Sequence, residues 1–462
     1  MAERKRIYLC LAHMSEAGLE QKYIKEAFDT NWVVPLGPNV NAFEKDLETF
    51  VSDVRGQKDD VRCGSLSKRV VALSSGTSAV HLALIACGVG PGDEVCVQSF
   101  TFCASSHPIT YLGATPVFID SEKDTWNMDP ELLEKAIKDR IAKTGKKPKA
   151  IIPVALYGMP YKADRIMEIA DKYDIPVIED AAEGFGSKFK GQVLGTFGKY
   201  GVLSFNGNKM ITTSGGGALI TPDEESWREI MMYATQYRES YPYYQHEKIG
   251  YNYRMSNICA GIGRGQMTVA NDHIAHHKHV QKMYEELLKD VKGITVHSQP
   301  SEIDPQTSQP VYDSNYWLCT ITIDENVKVK GQEDAYKTIV TGAVGGAAGV
   351  IHAAESAHTD CEPNANVEAM RVALDKAQIE ARPVWKPMHK QPVYCRTIEN
   401  GQLKMDNLPC GAICQTSETS VSYVNGVSEA IFKVGMCLPA GPYVSDDDVR
   451  YIVDTIKANI IG

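Results

Sequence analysis

The sequence lacks three features that would assign it at once to a class of protein. No apolar run approaches the roughly 20 residues that a membrane helix needs, and the longest weakly apolar stretch, residues 343–354, is short and rich in glycine and alanine. The 12 cysteines include no CxxC pair, so no metal site is expected. Positive charge is also scarce, since 48 basic and 58 acidic residues give a net charge of −10, which argues against nucleic acid and anionic membranes as partners.

The remaining bulk properties are those of an ordinary globular protein. The start of the chain, MAERKRIYLCLAHMSEAG, has too short an apolar run for a signal peptide. We therefore expect a soluble, cytoplasmic protein with free thiols. With 462 residues, the chain is long enough for two domains.

From about residue 70, short β-branched runs alternate with amphipathic segments. AIIPVAL at 150–156 and PVIED at 176–180 are two such runs, and Asp129 and Ser445 are expected N-caps of later helices. This alternation predicts an α/β fold with a mostly parallel sheet covered on both faces. Ligands bind at the carboxyl ends of the strands in such sheets, so the residues that follow each strand are the first candidates.

The second half of the chain has a different pattern. We predict one long helix from Asn257 to about Asp290, followed by an α+β region. Residues 332–376 lack a clean period and are interpreted as an insertion or surface excursion. The expected division is a large domain at 1–270, whose N-terminal segment can pack on the small domain, and a smaller C-terminal α+β domain at 271–462.

A turn of small residues is the first candidate for a binding site. SSGTSAVHLAL at 74–84 has Gly76, Thr77 and Ser78 between a strand and a helix. Backbone N–H groups and a hydroxyl at such a helix N-terminus can bind phosphate. An ordinary capped helix would have the same sequence, and both interpretations stay open at this point.

Two acidic residues form the second candidate. In VIEDAAEGFGS at 177–187, Asp180 and Glu183 follow the end of a strand. A buried aspartate at this place can keep the ring nitrogen of a pyridoxal cofactor protonated. The alternative is that Asp180 only caps the next turn.

A lysine in a glycine-rich loop is the third candidate. In GVLSFNGNKMITTSGGGALIT at 201–221, Ser204 and Lys209 flank an Asn-Gly turn. A partly desolvated lysine in such a loop can bond covalently to an aldehyde, although most lysines are solvated surface residues. The order of the three candidates is typical of fold type I enzymes that use pyridoxal 5'-phosphate (PLP).

The sequence resembles the DegT/DnrJ/EryC1/StrS family of nucleotide-sugar aminotransferases over nearly the whole chain. Residues 54–68 and 332–376 depart from the family. The resemblance is carried by the three motifs above and by NWVVPLGPNVNAFEKDL, SFTFCASSHPITYLGATPVFIDSE, YGMPYKADRI, GYNYRMSNI and RPVWKPMHKQPVY. It implies a PLP-dependent transferase of fold type I.

The resemblance also implies a role for each matched position. Lys209 would carry PLP and move the proton, Asp180 would pair with the ring nitrogen, and Phe102 would stack on the ring. Glu183 would lie near the ring hydroxyl. The residues implied to bind the cofactor phosphate are Gly76, Thr77 and Ser204, with Asn252 reaching in from a second subunit, which implies a homodimer with shared active sites. Ser78 of the turn motif is a further candidate for cofactor binding.

The RPVWKPMH segment would contact the nucleotide sugar. Its candidate residues are Arg382, Trp385, Lys386 and His389, for which a purely structural loop is the alternative. The implied reaction moves an amino group from L-glutamate to a nucleotide-linked 4-keto-6-deoxy sugar.

The SFNGNKMITTSGGG loop is most similar to enzymes of the UDP-N-acetylbacillosamine type, so UDP-2-acetamido-4-keto-2,6-dideoxy-glucose is the expected acceptor. Alternatives are GDP-4-keto-6-deoxy-mannose, a dTDP-3-keto sugar, another PLP reaction such as sugar dehydration or transamination of a small amino acid, and a PLP-binding regulatory protein without turnover. Members that are dehydratases have a histidine at the lysine position, so Lys209 favours amino transfer.

Overall fold

The computed structural model describes residues 5–52, 68–336, 361–394, 396–399, 402–405, 414–416 and 420–461. In chain order its helices are Leu19–Asp29 (α1), Pro38–Ser52 (α2), Gly76–Ala86 (α3), His107–Tyr111 (α4), Pro130–Thr144 (α5), Ala163–Tyr173 (α6), Glu224–Ala234 (α7), Asn257–Met267 (α8), Ala270–Leu288 (α9), Ala365–Lys376 (α10), Val427–Val434 (α11) and Asp446–Asn459 (α12).

The strands are short, as is usual in sheets of this kind. In chain order they are Arg69–Leu73 (β1), Glu94–Gln98 (β2), Thr115–Ile119 (β3), Ala150–Ile152 (β4), Ile178–Asp180 (β5), Lys188–Phe189 (β6), Gln192–Val193 (β7), Tyr200–Ser204 (β8), Gly217–Thr221 (β9), Ile294–Val296 (β10), Tyr312–Asp313 (β11), Cys319–Ile323 (β12), Lys328–Val329 (β13), Arg382–Pro383 (β14), Arg396–Glu399 (β15), Gln402–Met405 (β16), Cys414–Thr416 (β17), Val421–Tyr423 (β18), Gly435–Leu438 (β19) and Ile460–Ile461 (β20).

A large sheet lies at the centre of the fold. It consists of two sets of strands, with the orders β17-β18-β3-β2-β4 and β5-β8-β9-β1. The isolated bridges Ile151–Val177 and Val154–Asp180 join the two sets between β4 and β5. Neighbouring strands are parallel except where β9 pairs with β8 and β1, and where β17 pairs with β18. The predicted α/β fold with a mostly parallel sheet is confirmed.

Helix caps hold several of the flanking helices at the places that the sequence predicts. Asp129 accepts the N–H groups of Glu131 and Leu132 at the start of α5. Ser445 accepts the N–H of Asp448 at the start of α12. Within the part of the chain that the structure describes, no helix is long and apolar enough to cross a membrane.

A second, smaller core lies in the C-terminal part of the chain. Its antiparallel sheet has the order β10-β12-β19-β14 and packs against α9, α10 and α12. The start of the chain joins this core, because Ile7 forms a bridge with Ile379 and Arg6 pairs with Asp375 at 2.6 Å.

The predicted single helix from Asn257 to about Asp290 is in fact two helices, α8 and α9. They are separated at Thr268 and Val269, two adjacent β-branched residues, which lowers the local helix propensity. The Thr268 hydroxyl donates to the Gly265 carbonyl at 2.6 Å. This bond satisfies a carbonyl at the end of α8 and helps to end the helix.

The interpretation of residues 332–376 as a surface excursion does not hold for its last part. Residues 365–376 form helix α10, and Val367, Met370 and Leu374 are fully buried in the small core. Residues 337–360 lie outside the described residues. The predicted domain boundary at residue 270 does not separate the two sheets. Strand β18 follows this boundary in the chain, but it belongs to the large sheet, where it pairs with β3.

We therefore expect α10 to be required for stability. Leu374→Ala should lower the free energy of unfolding by about 2–5 kcal/mol, because it opens a cavity in the small core. Denaturant titration monitored by circular dichroism measures this change. Lys376→Ala is the matched control, since Lys376 is exposed on the same helix and should change stability by less than about 0.5 kcal/mol. Equal stability of both variants and the native chain would contradict the assignment of α10 to the core.

Candidate active site

The turn between β1 and α3 forms one wall of a cavity. Ser75 caps α3, because its hydroxyl accepts the N–H of Ser78, whose own hydroxyl donates to the Ser75 carbonyl at 2.7 Å. Gly76 and Thr77, in the first turn of α3, line the cavity, and the first backbone amides of a helix have no partners within it. A Cβ on Gly76 would lie 3.2 Å from the Cβ of Ser204, so the close approach of the two strand ends favours glycine.

Ser78 is not among the residues that line this cavity, and its role as a cofactor ligand stays a prediction. The side chain is buried, and its hydroxyl is used in the cap of α3. Ser75, which no motif singled out, lines the cavity in its place. Ser75 thus takes part in both the cap of α3 and the cavity wall, whereas Ser78 takes part only in the cap.

Asp180 lies at the carboxyl end of β5 and lines the same cavity. Its Oδ2 accepts the Ser105 hydroxyl at 2.6 Å, and its Oδ1 accepts the Ala182 N–H at 3.1 Å. Burial raises the pKa of the Asp180 carboxyl, whereas these hydrogen bonds and the Lys209 ammonium lower it. Asp180 thus caps a turn and also presents a buried carboxyl that a cationic ligand would stabilise.

Lys209 follows the Asn206–Gly207–Asn208 turn after β8. Its side chain is 13% exposed, and its Nζ lies 3.5 Å from Oε1 of Glu183. A residue near the start of the chain also stabilises this turn, because the Ala12 N–H donates to the Gly207 carbonyl at 3.0 Å. Lys209 is therefore a nearly buried ammonium rather than a solvated surface lysine.

Glu183 is buried between Lys209 and the loop that follows β4. Its Oε2 accepts the backbone N–H of Tyr157 at 2.7 Å. Burial raises the pKa of the Glu183 carboxyl, and the Lys209 ammonium is the largest opposing influence. The Lys209 ammonium and the Tyr157 N–H therefore both favour the charged form of Glu183.

The carboxyl ends of the strands enclose a cavity of about 340 Å³. Phe102, which is 49% exposed, and Trp385 stand together at one side, with ring centroids 5.4 Å apart. The predicted residues that the structure brings together here are Gly76, Thr77, Phe102, Asp180, Glu183, Ser204, Lys209 and Trp385. Ser75, Ser105 and Trp317 also line the cavity without having been predicted.

A second compartment of about 300 Å³ adjoins the first. The two share Thr101, Phe102 and Trp385. Lys386 lines the second compartment, together with Cys103, His107, Met388, Gln391 and Val393. A molecule with a reactive end in the first compartment can thus extend past the Phe102–Trp385 pair towards a positive charge.

Two predicted substrate residues do not line either compartment. Arg382 pairs with Glu380 at 2.7 Å. His389 is buried, and both of its ring nitrogens are in use, Nδ1 with the Ser99 hydroxyl at 2.6 Å and Nε2 with Glu429 at 3.0 Å. The hydrogen bond from His389 lowers the pKa of Glu429 to about 2.

These hydrogen bonds favour the alternative interpretation of a structural loop for His389, because a histidine with both nitrogens paired in the interior has none left for a ligand. Contact between His389 and the substrate stays a prediction. Asn252 is exposed, bridges to Thr235 and does not line the cavity of its own chain.

The residues of the first cavity fit a ligand that carries a phosphate, an aldehyde and a protonated ring nitrogen. The start of α3 offers backbone amides to an anion. Asp180 is a buried carboxyl that a cation would stabilise, and Lys209 can bond to an aldehyde. This set of functional groups is that of PLP.

The comparison with known proteins agrees with this chemistry. The family model of the DegT/DnrJ/EryC1/StrS aminotransferase family matches residues 15–341. EpsN of Bacillus subtilis (strain 168), which carries the provisional name of a pyridoxal phosphate-dependent aminotransferase, is 38% identical over 98% of this chain and 95% of its own length. GDP-perosamine synthase of Escherichia coli O157:H7 is 30% identical over 97% of this chain and 98% of its own.

A solved structure of similar shape supports the same assignment. The crystal structure of a DegT DnrJ EryC1 StrS aminotransferase from Brucella abortus has a TM-score of 0.72 and 25% identity, and the match covers 96% of this chain and 95% of that chain. The chain therefore belongs to the DegT/DnrJ/EryC1/StrS aminotransferase family and is a PLP-dependent sugar aminotransferase.

Proposed function

We propose that this enzyme moves an amino group from L-glutamate to the keto carbon of a nucleotide-linked 4-keto-6-deoxy sugar, and that UDP-2-acetamido-4-keto-2,6-dideoxy-glucose is its preferred acceptor. The observation that carries the reaction type is the meeting of Asp180, Glu183 and Lys209 in one cavity. The adjoining compartment with Lys386 supports an acceptor that bears phosphate.

PLP supplies an aldehyde for the amino group and an electron-withdrawing ring that withdraws charge from the reacting carbon. Gly76, Thr77 and Ser204 are proposed to bind its phosphate, and Phe102 to cover its ring. Asp180 is proposed to face the ring nitrogen, where its carboxylate keeps the nitrogen protonated. Each of these residues lines the cavity.

Lys209 is proposed as the residue that binds the cofactor covalently and moves the proton. In the first half of the reaction its Nζ takes a proton from the Cα of the donor, and in the second half it delivers one to the carbon that receives the amine. Glu183, 3.5 Å from Nζ, stabilises the lysine when it holds the proton. Because one base serves both halves, donor and acceptor must use the cavity in turn.

The identity of the nucleotide rests on motif similarity. The Asn206–Gly207–Asn208 turn before Lys209 and the RPVWKPMH segment favour a UDP-linked 4-keto sugar. The second candidate is GDP-4-keto-6-deoxy-mannose, which is favoured by the 30% identity to a GDP-perosamine synthase over nearly the whole chain. Both acceptors place the keto group at C4, so the same cavity serves either.

A homodimer with shared active sites is part of the proposal. Apolar side chains are exposed on the segment after α1 and on the Tyr-rich loop after α7, including Leu36, Tyr243, Tyr244 and Ile249. Exposed apolar surface of this kind is typical of subunit interfaces. Asn252 lies in the same part of the chain as the Tyr-rich loop, and is proposed to reach the cofactor phosphate of the second subunit.

Asp180→Asn should lower kcat by about a thousandfold, which corresponds to about 4 kcal/mol of barrier. Asparagine keeps the acceptor for the Ala182 N–H but loses the charge that protonates the ring nitrogen. Steady-state kinetics measure the effect. Asp129→Asn is the matched control, since Asp129 caps α5 away from the cavity. Near-native kcat in Asp180→Asn would mean that Asp180 is only a cap.

Mixed dimers test the proposed role of Asn252. Lys209→Ala and Asn252→Ala should each be inactive, and an equal mixture after subunit exchange should recover about a quarter of native activity. The reason is that half of the dimers are hybrids with one intact site. Lys209→Ala mixed with the double variant should stay inactive. If hybrids form without activity, the two residues act within the same subunit.

The acceptor is tested with three nucleotide sugars and L-glutamate as donor. We expect kcat/KM for the UDP-linked 4-keto sugar to exceed that for GDP-4-keto-6-deoxy-mannose and for a dTDP-3-keto sugar by at least about tenfold, or about 1.4 kcal/mol. If the GDP-linked sugar is preferred by that factor, the second candidate is correct. The absence of amino transfer to every keto sugar would overturn the proposed reaction itself.

A further inference from the structure

Trp317 is a close neighbour of Lys209 that the cofactor motifs do not include. The side chain is 1% exposed, and the Nζ of Lys209 lies 4.0 Å from the centroid of its ring. An ammonium is attracted to the face of an indole at this distance, most strongly where water is excluded. Together with Glu183 at 3.5 Å, the ring gives the ammonium two contacts, one aromatic and one anionic.

Hydrogen bonds hold the ring in this position. The indole N–H of Trp317 donates to the carbonyl of Asn208 at 2.6 Å, and its backbone N–H donates to Oδ1 of Asn315 at 2.8 Å. The amide of Asn315 donates to the carbonyl of Glu183 at 2.9 Å. The ring is thus tied both to the lysine loop and to the loop of Glu183.

The surroundings leave this turn little freedom. A Cβ on Gly158, which has a φ of +92°, would lie 1.8 Å from Oδ1 of Asn315. His277 on α9 contacts the carbonyl of Tyr316 through Nδ1 at 3.0 Å. The tryptophan is therefore presented to the lysine by a tightly packed segment.

The titratable groups that face Lys209 are Asp180, Glu183 and Cys10. Burial raises the pKa of the Cys10 thiol to about 12, so this thiol remains neutral at neutral pH. Trp317 differs from these groups because its replacement weakens a contact of the ammonium without changing a charge.

We propose that Trp317 is a positioning residue whose ring binds Lys209 in its ammonium form. The ring thereby influences the pH at which Lys209 loses its proton and its nitrogen can react. A lysine that moves protons alternates between ammonium and neutral amine, and the ring face stabilises the ammonium. This role of Trp317 rests on the proposed function of Lys209 as the cofactor-binding lysine.

The experiment measures how fast the full-length, cofactor-free protein captures added PLP between about pH 6 and about pH 10, followed by visible absorbance. Capture joins the lysine nitrogen to the aldehyde carbon and releases one water. It uses the nitrogen lone pair, so the rate follows the neutral fraction of Lys209. Trp317→Leu should move the midpoint of this profile about one pH unit lower, equivalent to about 1.4 kcal/mol, and Trp317→Phe by less.

Fluorinated tryptophan gives a version of the test that keeps the fold. Fluorine weakens the negative ring face but retains the shape and the indole N–H. Growth with mono- and difluorotryptophan labels all five tryptophans. The midpoint should fall stepwise with fluorine content in the native chain and stay constant in a labelled Trp317→Phe chain.

Three outcomes decide between the alternatives. Trp126→Leu removes a buried tryptophan that stacks on His297 instead of Lys209, and it should leave the midpoint unchanged. An unchanged midpoint in Trp317→Leu and in the fluorinated native chain would overturn the role of Trp317. Covalent capture that persists in Lys209→Ala would instead overturn the proposed function of Lys209, which separates the two failures.

Discussion

The imbalance of charge in the first cavity is the constraint on which the site depends. Among the residues that line this cavity in the described structure, Asp180 and Glu183 are acidic and Lys209 is basic. Burial raises the pKa of both carboxyls, because one ammonium cannot offset the desolvation of two anions. A ligand with a positive ring nitrogen would place a cation beside Asp180, while its phosphate would meet the backbone amides at the start of α3. Such a cation would favour the charged form of the buried Asp180 carboxyl.

The parallel sheet explains why these groups meet. β1, β4, β5 and β8 run in the same direction, so the turns that follow them all lie at one edge of the sheet. Gly76 begins the helix after β1, Asp180 ends β5, and Lys209 follows β8. Residues far apart in sequence are thereby gathered without any one of them having a strained backbone.

Local sequence predicts the parts of the site that follow strands, because a turn motif determines where its own residues lie. It does not reveal which polar atoms are used internally. Ser78 and His389 are of residue types that often bind ligands. The hydroxyl of Ser78 is bonded to Ser75, however, and the ring nitrogens of His389 are bonded to Ser99 and Glu429. The contact of Trp317 with the lysine, like the burial of α10, arises from packing between distant segments.

Aromatic rings connect the lysine to the second compartment. Trp317 lies 6.5 Å from Tyr157, Tyr157 lies 6.1 Å from Trp385, and Trp385 lies 5.4 Å from Phe102, measured between ring centroids. Tyr157 has a φ of +55°, which is an uncommon conformation for a tyrosine. Two hydrogen bonds hold the residue there: its backbone N–H donates to Glu183, and its hydroxyl accepts the backbone N–H of Trp385. Tyr157 is therefore a neighbour of Trp385, Glu183 and Trp317, and the last two are neighbours of the Lys209 ammonium. The row of rings thus runs from the lysine to the compartment that Lys386 lines, so the two ends of the site share one packed aromatic wall.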